Sequence, residues 1–275
     1  MDSKNSSLKQ ITLVLGSGGA RGLCYIGVLK ALEEIAIPIG KIIGCSMGSI
    51  IGAAYCSGIS LQEIEKYALT LKIRNFLSFS PFSSALFSHR GFEKVVSKIV
   101  PTGCFESLKI PLKIVCTDLE KGESVVFESG PLFPPIVGSC LTAGLFEPVS
   151  YENYFLVDGG YLNPVPVNIT SEDDIVIAID SSLRPDYSIR TSLKKDWKNF
   201  FKISKPWRQA LKSSDMLCYT LSQSQGKGIK HLRIIPNFID MPFISFRDGK
   251  NAIEIGRNSV YEHIEEIKQF ISSKA

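Results

Sequence analysis

Histidine is scarce in this chain. Only His89, His231 and His263 occur in 275 residues, so an imidazole base would have to be one of these three. None of the seven cysteines belongs to a C-x-x-C pair, and the count is odd. Their spacing suits neither a zinc site nor a disulfide framework, and free thiols in a reducing, cytoplasmic setting fit best. Charge of one sign is also in short supply. The 31 Lys and Arg against 27 Asp and Glu leave +4, too little for a nucleic-acid groove. Residues Met1 to Ser7 lack the basic-then-apolar order of a secretory signal and read as a flexible tail. What is present, 44% hydrophobic and 21% charged residues, excludes disordered, collagenous and coiled-coil chains and predicts one globular domain over 8–275.

The stretch Ile42 to Gln62 carries no charge and approaches a bilayer span in length. Gly44, Gly48, Gly52 and Gly58, interspersed with serines, make it small and locally polar. It reads as a buried strand followed by a tightly packed helix, and no transmembrane segment is expected.

Ile11 to Leu15 is a β-branched and apolar run that stops at Gly16, the pattern of a buried strand entering a loop. Helical spacing follows over Gly22 to Ile35, then a strand at Lys41 to Gly44 and a helix over Met47 to Ser57. Strand, helix, strand, helix predicts a mostly parallel central sheet flanked by helices. Further strands are expected at Leu112 to Thr117, Ser124 to Phe127, Tyr154 to Val157, Ile175 to Ile179 and His231 to Ile235. The C-terminal stretch Asn251 to Ile271 reads as one amphipathic helix. Between them, Leu61 to Pro111 with Phe76, Phe79, Phe82 and Phe87 is either a cap over a cleft or a packed connection.

Chemistry enters at Gly16-Ser17-Gly18-Gly19-Ala20-Arg21-Gly22. A dinucleotide fingerprint would need an acid at the end of the second strand, where Gly44-Cys45-Ser46 stands; a phosphate loop would need Lys-Ser/Thr after Gly22, where Leu23-Cys24 stands. Both nucleotide readings fail. Consecutive N–H groups converging at a helix N-terminus can still hold an anion. Gly44-Cys45-Ser46-Met47-Gly48 fits G-x-S-x-G at a strand-to-helix turn, which lifts a serine hydroxyl above the sheet.

A nucleophilic serine needs a base. His231 opens a strand, His263 flanks the C-terminal helix and His89 lies in the Phe/Ser-rich segment, so the search moves to acids. Asp118, Asp158 and Asp180 each end a predicted strand, and Asp158 is favoured because Gly159-Gly160 follows it.

These residues, Gly18-Gly19-Ala20-Arg21-Gly22, Gly44-Cys45-Ser46-Met47-Gly48 and Asp158-Gly159-Gly160 in that order, resemble the patatin-like phospholipases, especially short bacterial members. The resemblance implies a three-layer α/β/α hydrolase with Ser46 as nucleophile, Asp158 as general base and the Gly18-Gly19 backbone as oxyanion hole. It also implies that Arg21 braces the loop or meets an anionic group of the substrate, that no metal or other cofactor takes part, and that the substrate is a lipid ester. The stretch from Gly138 departs from the family pattern, which usually has Ala at 138 and Pro at 143. Rival readings are an α/β-hydrolase with a Ser–Asp–His triad using His231 or His263, and a non-catalytic lipid- or anion-binding module.

Arg190 to Lys212 interleaves basic residues with Trp197, Phe200, Phe201 and Trp207. Within 186–225, this is either a helical element lying on an anionic membrane surface or an amphipathic helix packed on the body.

Overall fold

The computed structural model describes residues 10–78, 85–101, 103–182, 205–238 and 241–274, with only the backbone of 205–212. Trp197, Phe200, Phe201 and the Trp207 side chain, proposed for membrane contact, lie outside the described residues, as does the 1–7 tail.

The fold centres on an eight-stranded mixed sheet in the order β5-β6-β3-β2-β1-β7-β8, with β4 also paired to β3. The strands are β1 (Ile11–Leu15), β2 (Ile39–Cys45), β3 (Leu112–Asp118), β4 (Glu123–Phe127), β5 (Val149–Tyr151), β6 (Tyr154–Asp158), β7 (Val176–Ile179) and β8 (His231–Ile234). The five strands β3-β2-β1-β7-β8 run parallel, and β4, β5 and β6 are antiparallel additions beside β3. The two-residue alternation of side chains sorts the strands onto two faces. Leu13, Leu15, Ile42, Ile114, Ile177 and Ile179 join the larger core, while Val14, Ile43, Val115, Val176 and Ala178 form a second cluster with Val165 and Val167. A sheet apolar on both faces must be covered on both, which yields the α/β/α layering.

The helices are α1 (Cys24–Glu34), α2 (Met47–Cys56), α3 (Leu61–Ala68), α4 (Arg90–Val96), α5 (Phe133–Gly138), α6 (Lys205–Ser224), α7 (Gly249–Glu262) and α8 (Ile264–Ser273). Helix α3 begins with a capping box: Ser60 Oγ accepts from the Glu63 N–H, and the Glu63 carboxylate accepts from the Ser60 N–H.

Three expectations need correction. The helix expected from Gly22 begins with a 3₁₀ turn at Gly19–Leu23, and β5 was not foreseen because three residues carry no periodic signal. The single C-terminal helix is two. At His263 the backbone N–H donates to Val260 O at 3.2 Å, and the ring Nδ1–H takes Ser259 O at 2.8 Å, the carbonyl that a continuing helix would use. The side chain competes with the backbone and the helix restarts at Ile264.

Helix α2 sits against the sheet closely enough to exclude a side chain at Gly48. A Cβ there would lie 2.2 Å from Leu15 O, a backbone atom of a central strand that cannot yield. Gly48→Ala is therefore expected to cost on the order of 3 kcal/mol in chemical denaturation. Gly52→Ala on the same helix meets only side-chain carbons, the nearest at 3.0 Å, and should cost under about 1 kcal/mol because alanine's helix propensity offsets the contact. Equal losses at the two positions would contradict this packing.

Candidate active site

Strands β2 and β6 share one edge of β3. β2 runs parallel to it and ends with Cys45 opposite Val115; β6 runs antiparallel and ends with Asp158 opposite Cys116. Two strand ends thus meet head to head at consecutive positions of a third strand. Residues 112 apart in sequence come together, and Ser46 Oγ–H donates to Asp158 Oδ2 at 2.7 Å.

Ser46 occupies a left-handed backbone conformation, φ 54° and ψ −123°, which costs a non-glycine residue on the order of 1–3 kcal/mol. Surrounding bonds hold it there. Its N–H donates to Ser139 Oγ at 2.8 Å, Ser139 Oγ–H donates to Val115 O at 2.7 Å, and Ser49 Oγ–H donates to Ser46 O at 2.6 Å. The turn leaves the hydroxyl at the floor of a cleft.

Asp158 is 8% exposed. Its Oδ1 accepts the Gly160 N–H at 2.7 Å, while Oδ2 accepts from Ser46. Burial pushes its carboxyl up from the ordinary 3.8 to about 6, and the hydrogen bonds from Gly160 and Ser46 pull part of the way back. Desolvation therefore makes this carboxylate a stronger base than a solvated aspartate.

The glycine loop approaches from β1. Ser17, Ala20 and Arg21 spend their N–H groups on Pro164, Phe243 and Gly18 carbonyls. Those of Gly18 and Gly19 donate to no acceptor among the described residues. Gly19 has φ +53°, and a Cβ there would strike Phe243 O at 2.5 Å, so the loop needs glycine at that position. Gly22 packs against Met47, the first residue of α2.

Two recesses meet at Asp158. The larger, about 390 Å³, is apolar and runs from Ser46, Gly19 and Met47 between Phe76, Phe92, Phe146 and Phe246. Ile73, Phe76, Leu77, Leu86, Phe87 and Phe92 supply one wall of it, with Leu77 and Leu86 exposed. The smaller is water-sized, about 30 Å³, and is bordered by the polar side chains of Ser17, Arg21, Asp158 and Asp215 as well as by Gly18 and Cys218.

Arg21 is 1% exposed, and its guanidinium is claimed by both carboxylate oxygens of Asp215 on α6 and lies 5.5 Å from the Phe243 ring centroid. Asp215 was not singled out in the sequence, where 194 residues separate it from its partner. Ser139 and Phe243 were missed for the same reason: neither carries a local motif. Asp118 and Asp180 are taken up in capping. Asp118 Oδ1 accepts the Glu120 and Phe155 N–H groups, and Asp180 accepts from Ser182 and Ser222. None of the three histidines lines either recess. His231 and His263 bond to nearby carbonyls, and His89 lies 3.6 Å from Glu93. Among the described residues no group of His, Cys, Asp and Glu could hold a metal ion.

With this geometry established, comparison with known proteins finds that residues 13–170 match the Patatin-like phospholipase family. An uncharacterized NTE family protein of Mycobacterium bovis is 35% identical over 186 residues, covering 65% of this chain and 51% of that protein. Patatin-like phospholipase domain-containing protein 6 of Homo sapiens is 32% identical over 191 residues, 66% of this chain and 14% of that protein. The chain thus spans about half the length of the mycobacterial relative and a smaller share of the human one. Among solved structures, VipD from Legionella pneumophila superposes with a TM-score of 0.59 over 96% of this chain and 67% of that one, at 14% identity, a likeness of fold.

The raised carboxyl fixes the sign of a pH effect. Folding strengthens proton binding at Asp158, so its contribution to stability is fully present below pH 3.8 and lost as pH rises through about 6. Holding it ionised above that costs on the order of 3 kcal/mol. Asp158→Asn should raise stability by about 1–2 kcal/mol at pH 8, after allowance for weaker hydrogen bonds to a neutral acceptor, and by almost nothing at pH 4. Urea titrations at the two pH values would contradict this if the variant were the less stable at pH 8.

Proposed function

We propose that this chain, which belongs to the patatin-like phospholipase family, hydrolyses carboxylic ester bonds of lipids through a Ser46 acyl-enzyme with Asp158 as the base. The observation that carries the reading is the 2.7 Å hydrogen bond from a strained, buried serine hydroxyl to a desolvated carboxylate, at the floor of an apolar cleft.

In the acylation step Ser46 Oγ attacks the ester carbonyl carbon as its proton passes to Asp158 Oδ2. The electron pair of the carbonyl bond moves onto oxygen, and the N–H groups of Gly18 and Gly19, which have no acceptor among the described residues, are the donors available to it, each worth on the order of 3 kcal/mol. Collapse of this intermediate expels the alcohol, which takes the proton from Asp158. Water then attacks the acyl-enzyme, Asp158 accepts its proton, and the second collapse returns that proton to Ser46 Oγ and frees the carboxylic acid. Asp158 serves as acid and base in turn.

The apolar cleft suits the acyl chain, with 61–110 acting as its cap. Among the described residues no helix is long and apolar enough to cross a membrane. The exposed Leu77 and Leu86 beside the cleft suit contact with a lipid surface. All seven cysteines are unpaired, which supports a reducing, cytoplasmic setting. Lysophospholipase NTE1 of Cryptococcus neoformans, 33% identical over 192 residues, carries a name of the same chemistry.

A fluorophosphonate probe tests the nucleophile: Ser46→Ala should lose labelling, and hydrolysis of a lipid ester should fall at least a thousandfold. Joint replacement of His89, His231 and His263 by Asn should leave turnover within about threefold. Labelling that survives in Ser46→Ala would remove the nucleophile. Loss of activity in a folded triple-histidine variant would favour an imidazole triad, and intact protein that neither labels nor hydrolyses would favour a binding module.

A further inference from the structure

Four of the seven cysteines converge on Asp158 from four different parts of the chain. Cys116 on β3 is its direct partner across the sheet. Cys45, the last residue of β2, has its sulfur close to the Asp158 turn: a Cβ on Gly159 would lie 3.0 Å from it. Cys140, just after α5, lines the apolar cleft with Ser46 and Asp158, its Sγ 3.9 Å from Ser49 Oγ. Cys218 on α6 lines the smaller recess with Asp158 and donates from Sγ to Gly160 O at 3.4 Å. Cys45, Cys116 and Cys140 are buried, and Cys218 is partly so.

A thiol occupies nearly the volume of a small hydrophobe but is a weak hydrogen-bond donor. Packed around a carboxylate, it excludes water without supplying the strong donors that would stabilise the charge. Serine at the same places would supply a strong donor and attract water. Burial pushes all four thiols up, Cys218 to about 12, so they remain protonated at neutral pH and are poor nucleophiles. That argues against a role in redox chemistry and for a role as lining.

We propose that Cys45, Cys116, Cys140 and Cys218 form a thiol shell that sets the basicity of Asp158 by keeping it dry and sparsely hydrogen-bonded. These are positioning residues that act through the carboxylate, and the inference rests on reading Asp158 as the base. Tyr161 lies on the following turn and lines the smaller recess, and Arg21 in that recess is already paired with Asp215. Within the shell, the two direct donors to the carboxylate are Gly160 N–H and the Ser46 hydroxyl.

Cys140 and Cys218 each border a recess, so a hydroxyl there can bring water to Asp158. The test is the pH profile of kcat/KM on a soluble p-nitrophenyl ester for Cys140→Ser and Cys218→Ser beside Cys140→Ala and Cys218→Ala. The serine variants should move the acid limb down by about one pH unit, a tenfold loss of proton affinity, and the alanine variants should leave it within about 0.3 unit. Carboxyl ¹³C titration of Asp158 should follow the same order, which loss of packing alone would not produce. Serine and alanine variants with the same acid limb would overturn the shell. Asp158→Asn keeps the two ideas apart: activity retained there would defeat the base, whereas a dead Asp158→Asn beside unmoved serine profiles would defeat only the shell.

Discussion

The site depends on one constraint of sheet geometry: a single edge of β3 accommodates the ends of two strands running in opposite directions. Because β2 stops opposite Val115 and β6 stops opposite Cys116, Ser46, the first residue past β2, and Asp158, the last residue of β6, are brought side by side. The hydrogen bond between them follows from ladder register, which the core enforces. A slip of one residue in either strand would invert which side chains face the apolar layers and would also part the pair. Stability of the sheet and integrity of the site are therefore the same requirement.

Around that junction the protein accepts local costs that the rest of the fold must cover. Ser46 is held in a backbone conformation that favours glycine, and Asp158 is buried with one backbone N–H and one hydroxyl as its donors among the described residues. Arg21 is 1% exposed, paired with Asp215 and set over the Phe243 ring, and its Nε has no hydrogen-bond partner among the described residues. Together such features amount to several kcal/mol, a large fraction of what a domain of this size has in reserve. The isoleucine-rich inner strands and the close contact of α1 with α7, where Gly27 and Gly256 let the helix backbones touch, provide the offset.

Much of this was legible in sequence because it is local. The β-branched run before Gly16, the glycines two residues either side of Ser46 and the Asp158-Gly159-Gly160 turn each announce a strand end with a special loop. What escaped is non-local. That β6 runs antiparallel and abuts β2 is decided by pairing across more than a hundred residues. Nor does anything near Arg21 indicate Asp215, or anything near Asp158 indicate four cysteines scattered from 45 to 218. The break at His263 was hidden by continuous apolar spacing, since it arises from a ring nitrogen taking a carbonyl rather than from a helix breaker. Function in this chain is punctuated locally and assembled by topology.

The central claim is that the serine hydroxyl, the carboxylate and the Gly18 and Gly19 amides act on one carbonyl, and a crystal structure of the fluorophosphonate adduct tests it most directly. The account predicts phosphorus bonded to Ser46 Oγ, the phosphoryl oxygen within about 3 Å of the Gly18 and Gly19 nitrogens, and the alkyl chain between Phe76, Phe92 and Phe146. An adduct whose phosphoryl oxygen turns away from the glycine loop, or whose chain lies outside the aromatic cleft, would contradict it.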